Sequence, residues 1–420
     1  MPNPGTAILR DYDSETTMAM TLSTDLQDDS QPNEWTRQSA LIVALCFVLN
    51  MVDGMDVLVI SYIAPALQKA WSASPAELSI VFSAGLAGMA LGGLGLAPLA
   101  DRFGRKQMIT LAIALMAIAM WVSSHATSIA QLATIRFVVG TGIGTVLACI
   151  AAIAARVAPL KHRNFAVGVL QAGYPIGAML TGFVVAWALP IYGWEQVLLA
   201  TAAISACFVP AVWLLLPANV TSLQEGNAPA LADTIAGERK RASILLWTAT
   251  ICGFMALYFI ASWITKLAIE AGLPETKAIV ASAIYNFGAF AGTVAGSIAG
   301  TRFDVRKLCG VLLFCAAAVF LVFGGVAMPL AGVLFTAFLM GITLQGGFNM
   351  LYPIAAQVYP DRVRATGIGW AFGIGRIGAF TGPLIGGWAL SQNWPLVYVF
   401  GIFVVPLAIA GLAAMRVART

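Results

Sequence analysis

Two aspartates three residues apart, Asp53 and Asp56, stand inside the otherwise apolar run 41–63. At that spacing they share one face of a helix. Two carboxylates so close cannot both ionise cheaply in a low dielectric. Such a pair suits a proton load taken up on one side of a barrier and released on the other; the plainer role is to partner an arginine. Two arginines also stand in apolar runs, Arg136 and Arg376. An ionisable side chain at membrane depth costs about 2.5–3.5 kcal/mol on insertion scales, and is a functional candidate by default. A guanidinium meets a carboxylate as a two-pronged donor. Arg376, in GIGRIGAFTGP with glycines at 373, 375 and 378 clearing room around it, is therefore expected to hold an anionic substrate. Arg136 is the alternative ligand, the partner of the aspartates, or a helix-packing arginine bonded to backbone carbonyls.

An anion with an aromatic ring needs flat apolar walls and a few polar atoms. Tyr174, Tyr258, Trp263, Tyr285, Phe348 and Trp370 could supply the walls. Gln171, Asn286, Gln345 and Asn349 could reach ring hydroxyls. Each alone is also an ordinary packing residue. No Gly-x-x-x-x-Gly-Lys-Ser phosphate loop is present, which argues against ATP as the drive. The six cysteines form no CxxC pair and read as small buried hydrophobes. The expected partners are a small anion, protons and the lipid bilayer. No cofactor, metal or nucleic acid is expected, and the chain is expected to act as a monomer.

These residues must be positioned by membrane helices. Hydrophobic residues make up 60% of the chain and charged ones 10%, against roughly 25% charged in soluble domains. Twelve apolar stretches approach or exceed the ~20 residues that cross a bilayer: 38–62, 77–97, 108–124, 132–155, 165–188, 195–216, 243–268, 278–300, 308–327, 329–352, 366–389 and 395–415. Within lipid such runs are helical, because the backbone must satisfy its own hydrogen bonds. Eighteen of the 23 Lys and Arg fall in the tails and the connections after even-numbered spans. That bias puts both termini in the cytoplasm.

The two halves repeat at an offset of 200–201. Gly88 and Gly92 pair with Gly288 and Gly292, and Phe137 and Gly140 with Phe338 and Gly341. DRFGRK (101–106) pairs with TRFDVRK (301–307). The expected fold is all-α and integral to the membrane, with 12 transmembrane helices in two pseudo-symmetric six-helix bundles. The layout is an acidic tail (1–37), a bundle (38–216), a cytoplasmic linker (217–242), a second bundle (243–415) and a short tail (416–420). Paired six-helix halves place a substrate site between them near the midplane.

LADRFGRK (99–106) and RFVVGTGIG (136–144) resemble the cytoplasmic loop and fourth-span signatures of the major facilitator superfamily. By that resemblance Asp101, Arg102, Gly104 and Arg105 form a gating loop, with Arg302 and Asp304 in its degraded second copy. Ala97 and Asp304 stand where the signature has glycine. Asp-Gly-Met-Asp (53–56), YIAPAL (62–67), Ser262-Trp263, EAGL (270–273) and YPDRVRATGIGWAFGIGRIGAFTGPLIGG (359–387) resemble the aromatic acid:proton symporter family. Thr265-Lys266, Gln357 and Arg156 depart from that family's usual residues. The resemblance implies uptake of a hydroxybenzoate-type acid with protons across a bacterial inner membrane. Substrate export by proton antiport, or sensing without transport, are the alternatives.

Overall fold

The structure, a computed structural model, describes residues 34–159, 162–217, 239–360 and 363–417. Most of the expected acidic tail and linker lies outside the described residues, as does the side chain of Asp101.

Among the described residues, ten helices are long and apolar enough to cross a membrane: Arg37–Trp71, Pro75–Leu96, Arg105–Ser123, Ile129–Val157, Phe165–Leu215, Arg239–Glu270, Glu275–Ala299, Val305–Gly325, Leu330–Val358 and Leu396–Arg416. Phe165–Leu215 has 51 residues, more than twice the need of one span. Its backbone turns at Gly193 (φ 81, ψ 170), so it holds spans 5 and 6. Arg364–Ser391 is span 11. The chain is thus a multi-pass, all-helical membrane protein of twelve spans.

Local chemistry starts several of these helices. Span 1 opens on a capping box between Thr36 and Ser39. Span 2 opens on one between Ser74 and Glu77, with Pro75 in the first turn. Asp304, out of place in the loop signature, caps span 9: its Oδ1 accepts from the backbone N–H of Arg306 at 2.9 Å and of Lys307 at 3.3 Å. Gly104 adopts φ 93 between the short helix Leu99–Phe103 and span 3, a conformation that favours glycine. Span 1 runs nine residues past its expected end at 62, through Pro65, to Trp71. At 1.5 Å per residue it is about 52 Å long, so its last turns clear the hydrocarbon.

The sequence repeat reappears as repeated packing. A Cβ on Gly88 of span 2 would overlap the Phe137 carbonyl of span 4. A Cβ on Gly288 of span 8 would overlap the Phe338 carbonyl of span 10. Gly177 of span 5 sits in the same way on Met51 of span 1, and Gly378 of span 11 on Ile251 of span 7. Small residues let these backbones touch, which is how helices pack where lipid is as apolar as their side chains.

Among the described residues, four bonds join the two halves toward the face opposite the basic connections. Ser61 Oγ donates to the Ser262 carbonyl at 2.8 Å, and Ser83 Oγ to the Phe380 carbonyl at 2.8 Å. Asn286 Nδ2 reaches the Tyr62 hydroxyl at 3.4 Å. Lys69 pairs with Glu275 at 2.6 Å, where the long span 1 meets the start of span 8.

Candidate functional site

A cavity of about 440 Å³ opens between the halves. Its walls come from spans 1, 2, 4 and 5 on one side and spans 7, 10 and 11 on the other. It extends toward the basic face: Leu94, Ala151 and Gly369, near that end of their helices, line it. At Gly92–Leu96 span 2 loosens into a π turn, and Gly93 and Leu94 of that turn face the cavity.

Six aromatic rings line the cavity: Tyr174, Phe254, Tyr258, Phe348, Tyr352 and Phe372. Phe254 and Phe348 have centroids 4.5 Å apart, and Tyr352 stacks on Phe372 at 3.8 Å. Among the described residues lining it, Arg376 carries the one charge. Its Nη1 donates to the Tyr258 hydroxyl at 3.0 Å, and its guanidinium carbon lies 5.2 Å from the Phe254 centroid. Both contacts fix the plane of the fork while leaving its other N–H groups toward the cavity without a carboxylate. Gln345 Nε2 donates to Asn349 Oδ1 at 3.1 Å, and Asn349 Nδ2 to Thr293 Oγ1 at 2.8 Å. This chain holds both amides against span 8 and orients them at the cavity. The Tyr174 hydroxyl, buried, has no hydrogen-bond partner among the described residues.

Of the expected substrate residues, Arg376, Tyr174, Gln345 and Asn349 meet here, with Tyr258, Phe348 and Gln171. Arg136, Trp263 and Tyr285 do not line this cavity. Trp263 is fully buried, and its indole N–H donates to the Pro383 carbonyl at 3.0 Å. It also meets Phe82 edge-on at 5.1 Å, so it packs span 7 against spans 2 and 11. Trp263→Phe should therefore lower unfolding stability by about 1 kcal/mol, one hydrogen bond's worth, and leave substrate affinity unchanged; thermal unfolding and binding titrations check the two halves of that statement. Tyr285 is 2% exposed. Asn286 is buried with its amide on the Ser282 carbonyl at 2.9 Å, and Trp370 is exposed and off the cavity wall.

The glycines flanking Arg376 have a different reason from the one expected. Gly375 faces Phe254 and Thr250, and Gly378 faces the Ile251 carbonyl. They bring span 11 against span 7; of the three, only Gly373 lines the cavity.

Asp53 and Asp56 lie near the middle of span 1, at 1% and 0% exposure, inside the N-terminal half rather than on the cavity wall. Neither carboxylate oxygen of Asp53 has a hydrogen-bond partner among the described residues. Asp56 Oδ2 accepts from Ser205 Oγ of span 6 at 3.2 Å. Arg136 Nη2 donates to the backbone carbonyl of Asp56 at 2.6 Å, and Nη1 contacts Met120 Sδ at 3.1 Å. The arginine thus anchors the main chain of the Asp-Gly-Met-Asp segment and not its carboxylates. In the loops expected to gate, Arg102, Arg302 and Asp304 are exposed. Lys106 sits over the Trp213 ring at 4.9 Å, within its own half.

Residues not expected from sequence are Asn50, Phe254, Tyr352 and Phe372. Spacing carried a signal for three of them. Phe254 precedes Tyr258 by four residues, Tyr352 follows Asn349 by three, and Asn50 precedes Asp53 by three. Asn50 donates to the Leu170 carbonyl at 2.6 Å.

Comparison with known proteins supplies the family. Residues 46–325 match the Major Facilitator Superfamily. The chain is 30% identical to the 4-hydroxybenzoate transporter PcaK of Pseudomonas aeruginosa, over 91% of this chain and 92% of that one. It is 28% identical to the gallate transporter of Pseudomonas putida, over 89% and 91%. The fold is also that of a bacterial homologue of the lysosomal transporter Spinster, crystallised in an inward-facing and occupied conformation, with a TM-score of 0.75 at 18% identity over 92% of this chain and 98% of that one. The chain is a membrane transporter and not an enzyme, and it belongs to the Major Facilitator Superfamily, in the aromatic acid:proton symporter branch that its first- and eleventh-span motifs resemble.

Proposed function

We propose that the protein imports a hydroxylated aromatic acid together with protons across a bacterial cytoplasmic membrane, by alternating access. The observation that carries this reading is Arg376, the one charge on an aromatic-lined cavity and held without a carboxylate partner. A cation with free donors between rings is complementary to a ring bearing a carboxylate. Size is compatible: a cavity of roughly 150 Å³ accepts benzene, so about 440 Å³ takes one substituted ring with water. Gln345, Asn349 and the Tyr174 hydroxyl are the groups placed to meet ring hydroxyls. The transporters at 27–30% identity that are named for 4-hydroxybenzoate and gallate support the same class.

In this reading bundles 38–216 and 243–415 rock about the cavity, joined by the linker 217–242. With the basic connections and both termini in the cytoplasm, the bonds at Lys69–Glu275, Ser61–Ser262 and Ser83–Phe380 close the outer side, and the cavity faces inward. Asp53 and Asp56 take the proton. The gating loops around Arg102 and Arg302 meet the cytoplasm. The monomer is the working unit, needing no cofactor beyond the proton gradient.

Purified protein in vesicles with an imposed inward proton gradient should accumulate 4-hydroxybenzoate or gallate, and a protonophore should abolish that accumulation. Gradient-driven efflux in the same vesicles would instead make the protein an exporter. Saturable binding without flux, even in counterflow, would make it a sensor.

A further inference from the structure

Tyr258 lines two spaces. In the large cavity its hydroxyl accepts from Arg376. It also borders a second, small pocket of about 20 Å³ between spans 1, 2, 4 and 7, whose polar lining is Arg136, Ser61, Ser262 and Tyr258. A buried water needs about 10–15 Å³ and two to four polar partners. The volume suffices, and four polar side chains stand on the lining.

Hydrogen-bonding capacity is left over around this pocket. Arg136 has five N–H groups, and its bonds to the Asp56 carbonyl and Met120 Sδ use two. Gly85 forms part of the wall beside its Nε, where a Cβ would make only ordinary van der Waals contact at 3.9 Å. Ser61 Oγ donates to the Ser262 carbonyl and keeps its lone pairs. Ser262 Oγ makes no hydrogen bond within the described residues. We propose that this pocket binds one water bridging Arg136 and Tyr258, which makes Tyr258 the positioning residue that links the buried aspartate pair to the hold of Arg376 on the substrate. The water accepts from Arg136 and from the Tyr258 hydroxyl, and donates to the two serine oxygens. Tyr258 in turn accepts from Arg376. A single hydroxyl thereby spans the boundary between the N-terminal half, which carries the aspartates, and the C-terminal half, which carries Arg376.

The inference rests on the proton-coupled reading above. It predicts that a change of charge on the aspartate pair alters substrate affinity through this chain. The titratable and charged groups facing Asp56 are Asp53 on its own helix and Arg136 on span 4. Those facing Tyr258 are Arg376 on span 11, Tyr174 on span 5, Tyr285 on span 8 and Tyr352 on span 10.

The test is the KM for 4-hydroxybenzoate across external pH in vesicles holding the full chain, wild type beside Tyr258→Phe and Ser262→Ala. Tyr258→Phe keeps the ring and loses both bonds. Its KM should rise about tenfold at the pH of best uptake, as for a lost hydrogen bond to a charged group, and its pH profile should flatten. Ser262→Ala removes one acceptor of the water and leaves the Tyr258–Arg376 bond in place. It should flatten the profile in the same sense by a smaller factor. A uniform rise of KM in Tyr258→Phe with the profile intact would reduce Tyr258 to a prop for Arg376 and overturn the link. So would an unaltered profile in Ser262→Ala, which decides alone if Tyr258→Phe fails to fold. A wild type with no proton dependence overturns the symport reading and this inference with it.

Discussion

Arg376→Ala should all but abolish substrate binding. The substrate's carboxylate would enter a cavity with no other charge on its lining. Truncating one partner of a buried, hydrogen-bonded charge pair costs about 2–5 kcal/mol, or roughly 30- to several-thousand-fold in affinity. Arg376→Lys should fall between the two. It keeps the charge and loses the fork, the planar contact with Phe254 and the geometry of the Tyr258 bond. Folding should respond in the opposite sense. Without substrate Arg376 is a half-buried cation with no carboxylate on it, and removing its desolvation cost offsets the loss of its bond to Tyr258. The expected pattern is therefore lost affinity with an unfolding temperature that is unchanged or higher. Isothermal titration with 4-hydroxybenzoate and thermal unfolding of the same samples measure both. Affinity kept within about threefold, less than one charge-assisted bond is worth, would remove Arg376 from the substrate site.

That arginine was legible in the sequence, and Trp263 and Arg136 show why other site residues were not. A lone charge in an apolar run announces itself because its insertion cost must be offset by function. A tryptophan in the same run announces nothing. Which face of an all-apolar helix meets a cavity, its neighbours or lipid is set by tertiary packing. On span 7 the cavity face is marked by Phe254 and Tyr258, four residues apart; Trp263 comes five residues later and is rotated well off that face. Arg136 is misplaced along the axis instead. The cavity-lining part of span 4 begins at Gly144, eight residues or about 12 Å further along. The fold was more legible, because its signals are relations and not single residues. The offset between Gly88–Phe137 and Gly288–Phe338 is a pattern that only equivalent helix contacts would keep, and each pair does make the same contact. The Asp304 substitution in the second loop copy is likewise a change of job: a residue that breaks a glycine turn can still cap a helix. The π turn at Gly92–Leu96, by contrast, has glycines on either reading, and its sequence GGLGL carried no sign of a wider helix.

The Asp53→Asn, Asp56→Asn double variant should exchange substrate across the membrane yet fail to concentrate it. For one proton per substrate, a gradient of one pH unit supports about tenfold accumulation, the ratio that 1.4 kcal/mol sustains. The double variant should stop near equal concentrations while counterflow continues. The geometry makes this separation achievable. Arg136 binds the backbone carbonyl of Asp56 and not its carboxylate, so an amide at position 56 leaves the arginine anchored. Ser205 can still donate to the amide oxygen. Asp53 has no donor on either oxygen, so its removal breaks no bond within the protein. The carboxylates can thus be neutralised with little loss of packing, and a loss of coupling would be a loss of chemistry. The single variants then divide the roles. A buried carboxylate without donors is costly in its charged form, and Asp53 is the member without them. If Asp53→Asn alone collapses accumulation while Asp56→Asn only weakens it, Asp53 carries the proton and Asp56 is its Ser205-bound neighbour. The reverse result gives the load to the residue beside Arg136. A double variant that still concentrates substrate tenfold would remove both aspartates from the coupling step, and with them the reason for two acids to be buried so deep in span 1.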